Sequence, residues 1–156
     1  MKTELILVGK TNDKHFQTGI DDYCQRIGHY MPFSITVIPE LKNTKSLSFQ
    51  QQKEREGKLI LAKLQSSDHV VLLDEHGKDF RSVEFARWIE QKNASVRRLV
   101  FVIGGPYGFS EAVYSRANEK ISLSKMTFSH QMVRLVFVEQ IYRACTIIKG
   151  EPYHHE

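Results

Sequence analysis

Apolar runs and amphipathic stretches alternate along the chain. Glu4-Leu5-Ile6-Leu7-Val8-Gly9 is nearly continuous in apolar character and stops at a glycine, the pattern of a strand covered on both faces. From about Asp13 to Tyr30, the residues Phe16, Ile20, Tyr23, Cys24 and Ile27 recur at helical spacing, and Pro32 bars continuation. Phe33-Ser34-Ile35-Thr36-Val37-Ile38 reads as a second strand and Asn43-Thr44-Lys45-Ser46 as a polar loop. Gln50 to Gln65 then forms an amphipathic helix with Leu59, Ile60 and Leu64 inward. His69-Val70-Val71-Leu72-Leu73-Asp74 predicts a third buried strand, closed by a turn at Glu75-His76-Gly77-Lys78. Ser82 precedes a helix carrying Phe85, Trp88 and Ile89, with Glu84 in the first turn, where it favours the helix dipole. Leu99-Val100-Phe101-Val102-Ile103 is the strongest strand and runs directly into Gly104-Gly105-Pro106-Tyr107-Gly108. Ser110 caps a short helix to about Arg116, and Lys120-Ile121-Ser122-Leu123-Ser124 makes a fifth strand. The last helix spans about His130 to Ile148 and ends at Gly150 and Pro152.

Strands alternating with helices define an α/β class, one domain over residues 1–156 with a mainly parallel sheet. Ligands of such sheets gather at the carboxyl ends of strands, here Gly9-Lys10, Leu73-Asp74, Gly104 to Gly108, and Leu123 to Phe128. The last helix departs from the usual single apolar stripe. Met132, Val133, Leu135, Val136, Phe137, Val138, Ile141, Ala144, Cys145, Ile147 and Ile148 lie almost all round it. Such a helix needs two burying surfaces: the sheet is one, and the other is a second subunit or the interior of an open monomer. Arg134, Glu139 and Arg143 are its polar exceptions. Glu139 and Arg143 stand four apart, acid first, so they either solvate one stripe or line a cleft at a dimer seam.

Composition narrows the classes further. Hydrophobic residues at 41% and charged residues at 26% are ordinary globular values. The net charge of +4 permits a nucleic-acid partner without demanding one. No apolar stretch approaches the ~20 residues of a bilayer span, and Met1-Lys2-Thr3-Glu4 opens no cleavable signal pattern, so a cytoplasmic location is expected. Cys24 and Cys145 read as reduced packing thiols, and no His or Cys pair has metal-ligand spacing.

Gly104-Gly105-Pro106-Tyr107-Gly108 has neither the GxGxxG spacing of dinucleotide sites nor the GxxxxGK[ST] order of triphosphate sites, which excludes a nucleotide-dependent oxidoreductase of the common kind. By itself the cluster is a turn or a place where the backbone approaches a flat ligand. In order along the chain, however, come Gly9-Lys10, Leu73-Asp74 with Gly77-Lys78, Ile103-Gly104-Gly105-Pro106 with Gly108, Leu123-Ser124-Lys125-Met126-Thr127-Phe128 with His130, Glu139 with Tyr142-Arg143, and Pro152-Tyr153-His154. Together they resemble the ribosomal RNA large-subunit methyltransferase H family of the SPOUT methyltransferases, over essentially the whole chain.

The resemblance implies a carboxy-terminal trefoil knot, a rare exception to unknotted topology. It also implies a homodimer, S-adenosylmethionine held in the knot, and methylation of N3 of a pseudouridine in large-subunit (23S) rRNA of assembled ribosomes. Its cofactor contacts fall on Leu73, Gly104, Leu123, Ser124, Lys125, Met126, Thr127 and Phe128. Methyl transfer to an imide nitrogen needs alignment and help in removing a weakly acidic proton. Glu139 and His154 are the candidate bases, Arg143 the cation, Tyr153 a stacking or hydrogen-bonding partner, and His130 a group that orients either ligand. Two positions depart from the family. Ser129 stands where a proline is frequent, which predicts a less rigid start to the last helix. His155 stands where Arg or Lys is common, which predicts weaker or more pH-dependent rRNA affinity. The rival readings are a SPOUT enzyme acting on tRNA or a ribose hydroxyl, and a non-catalytic RNA- or ribosome-binding module.

Overall fold

The computed structural model describes residues 1–156. Five strands, β1 (Lys2–Val8), β2 (Phe33–Ile38), β3 (His69–Asp79), β4 (Arg98–Ile103) and β5 (Glu119–Ser122), form one sheet in the order β2-β1-β4-β3-β5. Every pairing is parallel. Because side chains alternate across a strand, the continuous apolar runs feed two cores at once. Leu5, Leu7, Val71, Leu99, Phe101 and Ile103 enter one. Ile6, Val8, Val70, Leu72, Val100 and Val102 enter the other.

Helices α1 (Lys14–Ile27), α3 (Ser82–Ser95) and α5 (Met132–Ile148) cover the first face, and α2 (Phe49–Ala62) and α4 (Glu111–Arg116) contribute to the second. Local chemistry sets their starts. Asp13 accepts the His15 N–H at 2.7 Å, Ser48 and Gln51 form a reciprocal capping box, and Ser110 Oγ takes the Val113 N–H at 3.3 Å.

Four sequence expectations need correction. The segment Glu75 to Lys78 does not close β3. The ladder breaks after Leu73 and resumes with Lys78 opposite Ile121, the same β5 residue that Leu73 faces. Gly77 makes this return possible, since a Cβ there would lie 2.6 Å from the Ile121 backbone. Leu59 does not face inward: it is 40% exposed, and α2 instead buries Gly57 and Ile60, Gly57 lying against Ser110 and Val113. Helix α1 ends at Ile27, before Pro32 acts, and Asn43 to Ser46 contains a single 3₁₀ turn.

Helix α5 packs between α1 and α3 and buries Phe137, Val138, Ile141, Ala144 and Cys145. Met132 and Ile148 stay well exposed, and Val133, Leu135, Val136 and Ile147 are half-buried, so part of its apolar surface stays uncovered within the protomer. No helix is long and apolar enough to cross a membrane.

Candidate active site

A cavity of about 650 Å³ opens at the carboxyl ends of β3, β4 and β5, where parallel sheets present their loops. Leu73, Gly104, Leu123, Ser124, Met126, Thr127 and Phe128 all line it, and His130 and Tyr107 join them. Lys125 is the one expected cofactor residue outside the lining, pointing to solvent. The turn after β5 is held by serines: Ser122 Oγ donates to Ser124 O at 2.9 Å, and Ser124 Oγ takes the Met126 N–H at 2.9 Å. That arrangement leaves Met126 80% and Phe128 37% exposed, an apolar surface with nothing against it. At Gly104 a Cβ would stand 2.8 Å from the Phe109 ring, so glycine is what lets the backbone of the cavity floor pack directly on that ring.

The start of α5 is tied to the end of β1. Arg134 is fully buried, and its guanidinium donates to Val8 O at 2.7 Å, Gly9 O at 2.8 Å, Thr11 Oγ1 at 3.0 Å and His130 O at 3.1 Å. Burial alone pulls its pKa down, against Glu40. Gln131 makes a second clamp, accepting from Asn12 N at 2.8 Å and donating to Lys10 O at 3.3 Å. Ser129 caps this start. Its carbonyl accepts the Val133 N–H and its hydroxyl the Met132 N–H at 3.1 Å, and the hydroxyl bond is one that proline cannot supply. Neither Arg134 nor Gln131 stood out in the sequence as part of the site. The signal for Arg134 was present, since a lone cation in an apolar helix must be paired if buried.

On the cavity's other side, the Tyr114 hydroxyl of α4 donates to Asp74 Oδ2. Burial opposes ionisation of Asp74, but Tyr114, the His76 N–H and Lys120 hold it below the usual carboxylate range. Burial and Asp74 push Tyr114 up to about 12.

A second constellation lies further along α5. Glu139 Oε1 accepts from Arg143 Nη2 at 2.6 Å and from the Tyr153 hydroxyl at 2.9 Å, while Gln140 Nε2 donates to Oε2 at 2.9 Å. Arg143 Nη1 donates to His154 Nδ1 at 3.0 Å, and its guanidinium stands 4.8 Å from the Tyr153 ring centre. Because a guanidinium only donates, the imidazole proton is on His154 Nε2, which is buried without a hydrogen-bond partner. Burial, then Tyr23 and Glu139, raises the Tyr153 pKa above the usual tyrosine range. The chain turns back after α5 at Gly150, which brings Tyr153 and His154 onto the helix.

The structure therefore divides the five expected catalytic residues. His130 is in the cavity wall, and Glu139, Arg143, Tyr153 and His154 form one bonded group elsewhere. Val133 lines the cavity. Glu139 and Arg143, six and ten residues on, lie about 9 and 15 Å further along the axis and about a quarter to a third of the way round it. No cluster of three or more His, Cys, Asp or Glu side chains is arranged to hold a metal ion.

A wholly parallel α/β sheet with an open, partly apolar cavity at its carboxyl ends defines a binder of a small, flat, partly polar ligand. Comparison with known proteins specifies the class. A family described as "Predicted SPOUT methyltransferase" matches residues 1–154. Over the full length of both chains, the sequence is 66% identical to a protein of Bacteroides fragilis, 64% to one of Phocaeicola vulgatus and 57% to one of Flavobacterium johnsoniae. Each is named ribosomal RNA large subunit methyltransferase H. The chain belongs to the SPOUT methyltransferases, in the methyltransferase H family, and its methyl donor is S-adenosylmethionine.

Proposed function

We propose that this chain, working as one domain over residues 1–156 and as a homodimer in the cytoplasm, methylates N3 of a pseudouridine in large-subunit rRNA of the assembled ribosome. The names of its relatives support the substrate. The observation that carries the site is the cavity built from Leu73, Gly104 and the 123–128 turn. Its volume suits a nucleoside-sized ligand. Its glycine floor admits a flat group, and Met126 and Phe128 offer that group unpaired apolar surface. These residues fit S-adenosylmethionine, which when bound supplies an electrophilic methyl on a sulfonium. After β5, at one edge of the sheet, the chain crosses past β3 and β4 to the end of β1 before α5 begins. On that route the trefoil knot of the fold class would be tied.

The dimer follows from what one protomer leaves undone. The uncovered apolar positions of α5 call for a second surface, and the Glu139 group does not line its own cavity. A partner supplying the group to the opposite cavity answers both. Arg143 would stabilise the imide anion as N3 loses its proton. Glu139 Oε2, which takes one hydrogen bond against two at Oε1, is our candidate acceptor of that proton. Tyr153 then backs the target base and keeps Arg143 in place. His130 orients the donor at its own cavity.

The test is transfer from labelled S-adenosylmethionine to naked large-subunit rRNA, to assembled ribosomes, to ribosomes lacking pseudouridine and to tRNA, with the labelled fragment mapped by mass spectrometry. Label confined to a pseudouridine of assembled ribosomes is the expected result. Label in tRNA, or no binding of the donor, overturns the reading.

A further inference from the structure

Phe49 and Tyr107 stack on one another at the mouth of the cavity, with ring centres 4.2 Å apart and planes 19° from parallel. Yet they remain 62% and 46% exposed. Stacked rings left this open are unusual, because an aromatic side chain normally gains its stability by burial. The pair is built from both sides. Gly108 N donates to Gly105 O, closing a turn in which Pro106 restricts the second position and Tyr107 takes the third. Helix α2 meets that turn along one stripe. Phe49 provides the ring, Lys53 follows one turn on, and Glu56 Oε1 accepts the Gly105 N–H at 3.2 Å.

Charge is concentrated in the same segment. Residues 42 to 58 carry Lys42, Lys45, Lys53, Arg55 and Lys58 against Glu54 and Glu56, so they hold +3 of the chain's +4. Lys53 shares the Phe49 stripe, whereas Lys58, nine residues on, lies half a turn round α2. An exposed aromatic pair with a cation beside it, in a basic segment, is the combination that holds unpaired nucleotides, through phosphate attraction and base stacking.

We propose that the Phe49–Tyr107 stack, with Lys53 beside it, is the RNA-docking surface of this enzyme, and that Phe49 stacks on an unpaired base next to the methylated one. The proposal rests on the RNA-methyltransferase reading and deepens it, naming the element that recognises the substrate. Tyr107 lines the cavity and Phe49 does not, so the platform leads from the α2 surface to the donor site.

Phe49 is exposed, so its replacement leaves the core intact. Binding of a fluorescein-labelled single-stranded RNA of 20 nucleotides, followed by anisotropy at low salt, reads the surface without requiring catalysis. Phe49→Ala is expected to weaken RNA binding about tenfold, to raise KM for ribosomes with kcat nearly unchanged, and to leave donor affinity where it was. Phe49→Trp should bind as the parent does, and its added indole should be quenched when RNA is bound; Trp88 is buried and is the chain's one tryptophan. Phe49→Leu should behave like Phe49→Ala. If Leu restores binding as well as Trp, the side chain only packs and the proposal fails. It also fails if Phe49→Ala binds RNA like the parent, or if that variant is impaired only through loss of the dimer, which would make the platform a protein contact. RNA binding that depends on Phe49 in a protein that methylates no ribosomal RNA would uphold the surface and refute the activity.

Discussion

The two ends of α5 are built on opposite plans. At its start the fold provides main-chain groups, a glycine floor and bare apolar side chains, and the buried charge of the helix there, Arg134, is spent wholly on the protein's own carbonyls and Thr11. Towards its end, Glu139, Arg143, Tyr153 and His154 hold one another at 2.6 to 3.0 Å around a guanidinium whose side chain is 24% exposed. The first end is a shape waiting for a ligand. The second is a charge already fixed in direction, which costs little reorganisation when a negative charge develops against it. A methyl transfer needs both: an aligned donor and a stabilised anionic acceptor.

The largest effect expected is from Arg143→Ala. It removes the fixed cation but no cavity residue, so turnover should fall at least about a hundredfold. Donor affinity, measured by titration calorimetry, should change less than twofold. Loss of donor affinity would mean that the two ends serve one ligand. Gly104→Ala is the converse. The new methyl meets the Phe109 ring at 2.8 Å, and overpacking of about 1–3 kcal/mol should weaken the donor by roughly tenfold or more. Single-turnover rates at saturating donor should stay close to the parent's. Tyr153→Phe tests the second end more gently. It keeps the ring beside Arg143 and deletes the hydrogen bond to Glu139, for an expected loss of about tenfold in kcat. Since the Tyr153 pKa lies above the usual tyrosine range, its hydroxyl stays protonated through neutral pH. The parent's rate should therefore show no tyrosine ionisation below about pH 10.

Which parts were legible in the sequence follows the same division. Strand runs such as Leu5 to Val8 and Leu99 to Ile103 announce themselves because both faces are buried. The resumption of β3 at Lys78 does not, because it depends on β5 more than forty residues away. Leu59 was misjudged for a similar reason: α4, a distant segment, selects which side of α2 is inward. The cavity could be placed through the ordered motifs, and every expected cofactor residue except Lys125 lines it. Tyr153 and His154 could be named as candidate site residues only through the resemblance, and their contact with Arg143 was not legible, since the reversal after Gly150 creates it. The separation of His130 from Glu139 is a matter of helix length and phase, readable once the start of α5 is known.

A third charged group sets the limit of the comparison, because fixed hydrogen-bonded charge need not be catalytic. At the amino ends of β3 and β5, Glu119 accepts from the Trp88 indole at 3.1 Å, pairs with Lys92 at 2.9 Å and with His69 at 2.5 Å. Burial opposes its charge, but Lys92, His69 and Trp88 prevail and hold its pKa below the usual glutamate value. A depressed carboxylate stabilises the fold fully above its unfolded pKa near 4.3, and that contribution disappears as pH falls through the lower folded value. Glu119→Gln should therefore lower Tm by only about 2–4 °C at pH 7, since the group is partly exposed and screened. The gap between parent and variant should close below pH 4, with Trp88 emission as the probe of unfolding. Donor affinity and turnover should match the parent's. If Glu119→Gln slows methyl transfer as Tyr153→Phe does, the network around β5 reaches the cavity through Lys120 and Asp74, and the line between structural and catalytic charge has to be redrawn on that side.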